Sequence, residues 1–345
     1  MVAGLLCLAA GCATKKPAPK NYTFFPPAPE APRIQYLMSY GSETDLGGHG
    51  GFQDFIVGNE KTFKPIFKPY GVAIRQGKVY VADTQGANIT VADLAKCRLD
   101  ILKPDGQEAM RLPINVAVDK DLTCYVTDIT RGQVLIYGKD HRLLGALGKP
   151  GEMKPCGIAL AADRLYVTDM TNHCVRVYNR GSRELLFSVP REPADEKARL
   201  MGPTNVAVDE KGRICVSDTQ GFVVKIYDSE GKFLFKIGEL GVTPGQFALP
   251  KGVGMDREGR IYVLDAAAPV IQLFDAEGKL LMFFGQPNGK EPGALYLPAG
   301  LAIDYDNVRL FQKYVAPGYK LQYLILVTNQ AGPDKVSVYG FLQKS

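Results

Sequence analysis

The stretch G-V-A-I-R-Q-G-K-V-Y-V-A-D-T-Q-G-A-N-I-T-V-A-D, residues 71–93, decides the fold, because altered copies of it recur down the rest of the chain. Its triplet V-A-I (72–74) returns as V-A-V (116–118), I-A-L (158–160), V-A-V (206–208), V-G-M (253–255) and L-A-I (301–303), about 42 to 48 residues apart, a spacing typical of the blades of a radial array. In each copy the first apolar run ends at a polar turn such as D-E-K-G-R (209–213) or D-R-E-G-R (256–260). A second run ends in Asp83, Asp128, Asp169, Asp218, Asp265 or Asn329; a third reads V-L-I-Y, V-R-V-Y or a variant; a fourth, such as F-L-F-K-I-G (233–238), usually follows. Short runs rich in β-branched and aromatic residues, separated by turn residues, read as antiparallel strands. Four strands make a blade, and six copies make an all-β, six-bladed β-propeller.

The sixth copy stops after its third strand, V-S-V-Y-G-F (336–341), whereas an orphan strand, I-Q-Y-L-M-S-Y-G (34–41), precedes the first copy. The N-terminal strand is therefore expected to close the last blade, so that first and last blades hide each other's edges. The succession P-x-G-V-A, Y-V-x-D-T, V-x-V-Y/F and a Gly-ended strand resembles NHL-repeat six-bladed β-propellers over 34–345. That resemblance implies the fold. It does not choose a function, since such propellers serve as scaffolds, receptors, lyases and lactonases.

The first twelve residues, M-V-A-G-L-L-C-L-A-A-G-C, join a short apolar run to small residues and a Cys. They resemble a bacterial lipoprotein signal, with an unlipidated secretory signal as the plainer reading. The resemblance implies a signal peptide over 1–11, a lipidated Cys12, and, with Ala13 next, export to the outer membrane. A Pro-rich segment completes 12–33 as an extended spacer, and the propeller occupies 34–345. Five further cysteines share no position in the repeat, against a regular disulfide framework, although Cys156 and Cys174 of one blade leave a bridge open. A net charge of +5, with scattered Lys and Arg, gives no basis for a nucleic-acid partner.

The segments leading into the first strands read K-P-Y-G, L-P-I-N, K-P-C-G, G-P-T-N, L-P-K-G and L-P-A-G. They fall on one face of the disc, where propeller sites usually open, and nominate Tyr70, Asn115, Cys156, Thr204, Asn205 and Lys251 as a channel-mouth binding site. These residues offer no carboxylate and no His, so no catalytic residue and no cofactor is assigned. His49 and His173 are weak metal candidates, with ordinary loop residues as the alternative. The Asp closing each second strand reads as turn chemistry, because it repeats with the architecture. Departures from the repeat at 41–68, 190–200 and 307–322 are better pointers to function. In the last, Phe311, Lys313, Tyr314, Tyr319 and Lys320 form an aromatic and basic mixture suited to a partner surface, or else a hairpin packed on its own blade. The leading expectation is a membrane-anchored, non-enzymatic scaffold of the bacterial envelope. Its opening phrase P-E-A-P-R-I-Q-Y-L and last-blade hairpin are similar to lipoprotein propellers of bacteria rich in multihaem cytochromes, which implies such a complex as partner. The rival is a lyase or hydrolase at the channel mouth.

Overall fold

A computed structural model describes residues 21–46, 64–192, 194–287, 289 and 291–345. Blade 1 consists of Pro69–Arg75, Lys78–Asp83, Asn88–Asp93 and Arg98–Leu102, hydrogen-bonded in that order. Blades 2 to 5 repeat this antiparallel pattern over 113–147, 155–189, 203–237 and 250–284. Blade 6 takes its inner three strands from Pro298–Asp304, Tyr319–Asn329 and Val336–Lys344, and its fourth from Ile34–Tyr40. The ring thus closes through the N-terminal strand, paired from Ile34↔Phe341 to Tyr40↔Val336.

The core is six buried clusters, one at each interface between neighbouring blades. Alternation along the innermost strands explains the close fit near the axis. The large residues of the recurring triplet, Val116 and Val118 for example, pack on the preceding blade, where they meet the small central residue, Ala73. Ala117 meets Ile158, Ala159 meets Val206 and Ala207 meets Val253 in the same way. At Gly157 the approach is closer still, since a Cβ there would lie 2.6 Å from Asn205 Cα.

Polar atoms join the blades as well. The Thr of V-T-D in the second strand accepts a backbone N–H from its own innermost strand and donates to a carbonyl of the next blade. Thr127 Oγ1 takes Asn115 N–H at 3.0 Å and donates to Cys156 O at 2.7 Å. Thr168 does the same between Gly157 N and Thr204 O, and Thr328 between Gly300 N and Tyr70 O. The last of these ties blade 6 to blade 1. Each strand-ending Asp is buried and accepts backbone N–H groups from the segment ahead of its blade; Asp83 takes Phe67 N and Lys68 N there, and also Gln85 N and Gly86 N in the following turn.

Within the segment read as spacer, Thr23–Phe25 pairs outside Ile34–Tyr40 as a fifth strand of blade 6. Phe25 is buried against Phe284 and Tyr339, and Phe24 lies 5.8 Å from the Tyr319 ring. In addition, Cys97, Cys124, Cys156, Cys174 and Cys215 are all free thiols, so Cys156 and Cys174 are not bridged. Cys7 and Cys12 lie outside the described residues.

Candidate functional site: a stoppered channel open at the hairpin end

Antiparallel blades give the disc two faces. The P-x-G/N segments lie on one, here the proline face, and the turns between first and second strands on the other, the hairpin face. On the proline face the residues at x are Tyr70, Ile114, Cys156, Thr204, Lys251 and Ala299. Tyr70, Ile114, Cys156 and Ala299 pack into one cluster, joined by Leu112, Ile129 and Met170. Lys251 reaches across from blade 5 to place Nζ 5.6 Å from the centre of the Tyr70 ring. Thr204, also buried, turns its hydroxyl to Thr219 at 2.6 Å and Ser217 at 3.1 Å. These side chains stopper the channel.

The mouth anticipated on this face is therefore filled. Tyr70, Cys156, Thr204 and Lys251 do converge, but Asn115 and Asn205 stand one residue beyond the ring, between blades. Asn115 Oδ1 caps its neighbour Val116 N at 2.9 Å and lies against Gly71. Asn205 Oδ1 is buried without a hydrogen-bond partner. Ile114 and Ala299 complete the ring and carried no polar signal to mark them. Within the stopper, burial pushes the Cys156 thiol up, opposed by the charge of Lys251, and pushes the Lys251 amine and the Tyr70 hydroxyl towards their neutral forms. A thiol held up in this way is a poor nucleophile at neutral pH.

The opening lies at the other end. A cavity of about 610 Å³ enters from the hairpin face, lined by the innermost strands of all six blades, a size normal for a small-molecule site. Its walls are the repeated triplets. Its rim carries Asp119, Asp209, Glu210, Asp256, Asp304 and Asp306 against Arg75, Lys120, Arg180 and Arg257. The carboxylates are already engaged. Asp119 accepts Asp121 N and Thr123 N; Asp209 and Asp256 take turn N–H groups and the guanidinium groups of Arg213 at 2.8 Å and Arg260 at 2.6 Å. Asp304, raised by burial, holds Asn307, while Glu210 pairs with Arg257 at 3.0 Å and Asp306 with Arg75 at 3.3 Å. Arg75 Nε, by contrast, is buried in this lining without a partner.

The remaining candidates fall elsewhere. Phe311 is 2% exposed and packs into the core shared by blades 6 and 1, with Tyr314 and Tyr319 against it. The segment forms a short helix, Val308–Phe311, and a 3-10 turn, Gln312–Tyr314, a hairpin packed into the seam between its own blade and blade 1. Only Lys313 and Lys320 of the proposed partner surface are exposed. The segment also pins the closing strand: Gln35 donates to Tyr314 O at 2.8 Å and accepts from Ala316 N at 3.0 Å. His173 is exposed with Nδ1 2.7 Å from Met201 O, and His49 lies outside the described residues. Among the described residues no three His, Cys, Asp or Glu side chains gather to hold a metal ion, and no helix is long and apolar enough to cross a membrane.

A family model described as "DUF5128: 6-bladed beta-propeller" matches residues 195–282. The likeness is one of fold. No curated protein matches the sequence. Solved structures similar to the chain include virginiamycin B lyase from Staphylococcus aureus, 12% identical over 81% of this chain and 96% of that one, with a TM-score of 0.56. A gluconolactonase from Xanthomonas campestris is 14% identical over 90% and 89%, TM-score 0.57. A structural genomics protein of unknown function from Bacteroides thetaiotaomicron is 17% identical over 90% and 76%, TM-score 0.59. At such identities the architecture is shared and the chemistry of the sites has to be read from this chain.

Proposed function

We propose that the chain is a non-enzymatic binding propeller of the bacterial envelope, held at the outer membrane by a lipid on Cys12, whose hairpin-face cavity receives a ligand or a projecting group of a protein partner. The observation that supports this most is the commitment of its polar groups. All six rim carboxylates are spent on turns and arginines, and the thiol and amine of the stopper are buried among apolar side chains. A general base or nucleophile needs a free, suitably tuned group facing the substrate. What the cavity offers instead is apolar wall and donors that among the described residues have no side-chain partner, the buried Arg75 Nε and the heads of Lys120 and Arg180, which suits an apolar group bearing an acceptor. The lipoprotein-like start and the opening phrase favour an envelope partner, with a multihaem cytochrome complex as the class to test first.

The test is purification of the full chain from detergent-solubilised membranes of its own host. The parent is expected to co-migrate with a haem-absorbing partner, and Leu160→Glu, placed in the cavity wall, to come away alone. Cys12→Ser is expected to leave the membrane fraction and to lose metabolic labelling by a fatty-acid analogue. A parent that runs only as a monomer, or that retains its partner unchanged in Leu160→Glu, would refute the cavity as the binding surface.

A further inference from the structure

A second recess lies on the outer part of blade 4, facing blade 3, where the chain departs from the repeat. It has a volume of about 630 Å³ and lies between the excursion that carries Lys197, Arg199 and Met201 and the strands Val223–Tyr227 and Phe233–Ile237. In these strands Lys225 stands directly opposite Lys236. Like charges so placed destabilise a sheet. Lys225 is only 7% exposed, and its ammonium donates to Arg199 O, which leaves two of its three protons for other acceptors. Among the described residues none of Lys197, Arg199, Lys225 and Lys236 forms a salt bridge. Two carboxylates share the lining: Asp218 is fully buried and occupied by Met201 N and Gly202 N, and Glu196 is exposed on the excursion. Beside the cations the recess is apolar, with Val223, Phe233 and the exposed Met201.

We infer that this recess is a binding site for a free, single-chain anionic amphiphile, whose carboxylate or phosphate head sits between Lys225 and Lys236 and whose apolar stem lies on Phe233 and Met201. Charge complementarity selects the head, because the lining sets four cations, Lys197, Arg199, Lys225 and Lys236, against two carboxylates, Glu196 and the hydrogen-bonded Asp218. Shape selects the stem, since the volume fits one chain and the apolar side chains adjoin the lysines rather than surrounding them. A like-charge pair with one member buried is unfavourable in the empty protein and becomes favourable when an anion bridges it. The site is separate from the central cavity, and its occupancy does not depend on the envelope partner.

Titration calorimetry of the intact protein with decanoate, below its micelle concentration, tests the assignment. Saturable binding at one site is expected, weakened about tenfold or more in Lys236→Glu, a change at an exposed position, and likewise in Lys225→Met, which keeps the stem. Decanol, lacking the charge, and acetate, lacking the stem, are expected not to saturate. Thermal melts keep loss of the site distinct from loss of the fold. Absence of saturable decanoate binding, equal binding by the parent and Lys236→Glu, or binding only to anionic lipid vesicles would each overturn the inference.

Discussion

Lys251 shows how a single half-buried charge makes the stopper sensitive to pH. Burial holds its amine below the ordinary lysine value of 10.5, so between its folded and unfolded values the unfolded chain binds more protons. Stability then rises with pH through that window, and at lower pH the folded protein bears the whole cost of a charge among apolar neighbours. Lys251→Met keeps the stem and removes the charge. The variant is expected to be more stable than the parent at neutral pH, with the difference shrinking as pH climbs towards about 10. Urea unfolding of both proteins across that range measures it, and a variant less stable at neutral pH would show that the amine stabilises the ring. The stopper was partly legible in the sequence, because Tyr70, Cys156, Thr204 and Lys251 share the x position of P-x-G/N. Ile114 and Ala299 share it too, but a search for hydrogen-bonding groups passes over an apolar ring. Asn115 and Asn205 were polar for a different reason, since they occupy the position at which other blades carry Gly and face a neighbouring backbone.

At the scale of the element, strands and turns were readable because period-two runs, polar hairpins and the strand-ending Asp all agree in every copy. The missing fourth strand and the orphan ahead of the first copy fixed the closure. Thr23–Phe25 escaped notice because three residues have no period, and its place depends on partners distant in the chain, Tyr319, Phe284 and Tyr339. The threonine bridges escaped notice for a related reason: an alternating strand reads Thr as a β former, and its hydroxyl partner lies in the next blade. Thr328 is the most exacting of them, because it joins the last blade to the first. Thr328→Val keeps the shape and leaves Gly300 N–H and Tyr70 C=O without their buried partner. A loss of about 1–3 kcal/mol is expected, with Thr328→Ser close to the parent. Chemical denaturation of the three proteins decides it, and a Thr328→Val protein as stable as the parent would mean that the bridge contributes nothing to closure.

For the whole molecule, strand direction determines how the disc would stand on a membrane. The innermost strands run from the proline face to the hairpin face, and alternation through blade 6 makes Ile34–Tyr40 run back towards the proline face. Thr23–Phe25, antiparallel to it, runs towards the hairpin face, so the chain reaches Tyr22 from the proline side of the rim. Tyr22 lies ten residues on from Cys12, a reach of at most about 35 Å. With the lipid proposed above on Cys12, departure of the chain from the proline side favours an orientation with the stoppered face towards the bilayer and the open cavity outwards, where a partner can reach it. With the half-buried Cys97 and Cys174 replaced by Ser, a fluorophore at Lys68→Cys marks the proline face and one at Glu210→Cys marks the cavity rim; both positions are exposed. On liposomes carrying the lipidated protein and a headgroup quencher, stronger quenching is expected at position 68 than at 210. The opposite order would put the cavity against the membrane and make the bilayer, rather than an envelope protein, the surface it meets.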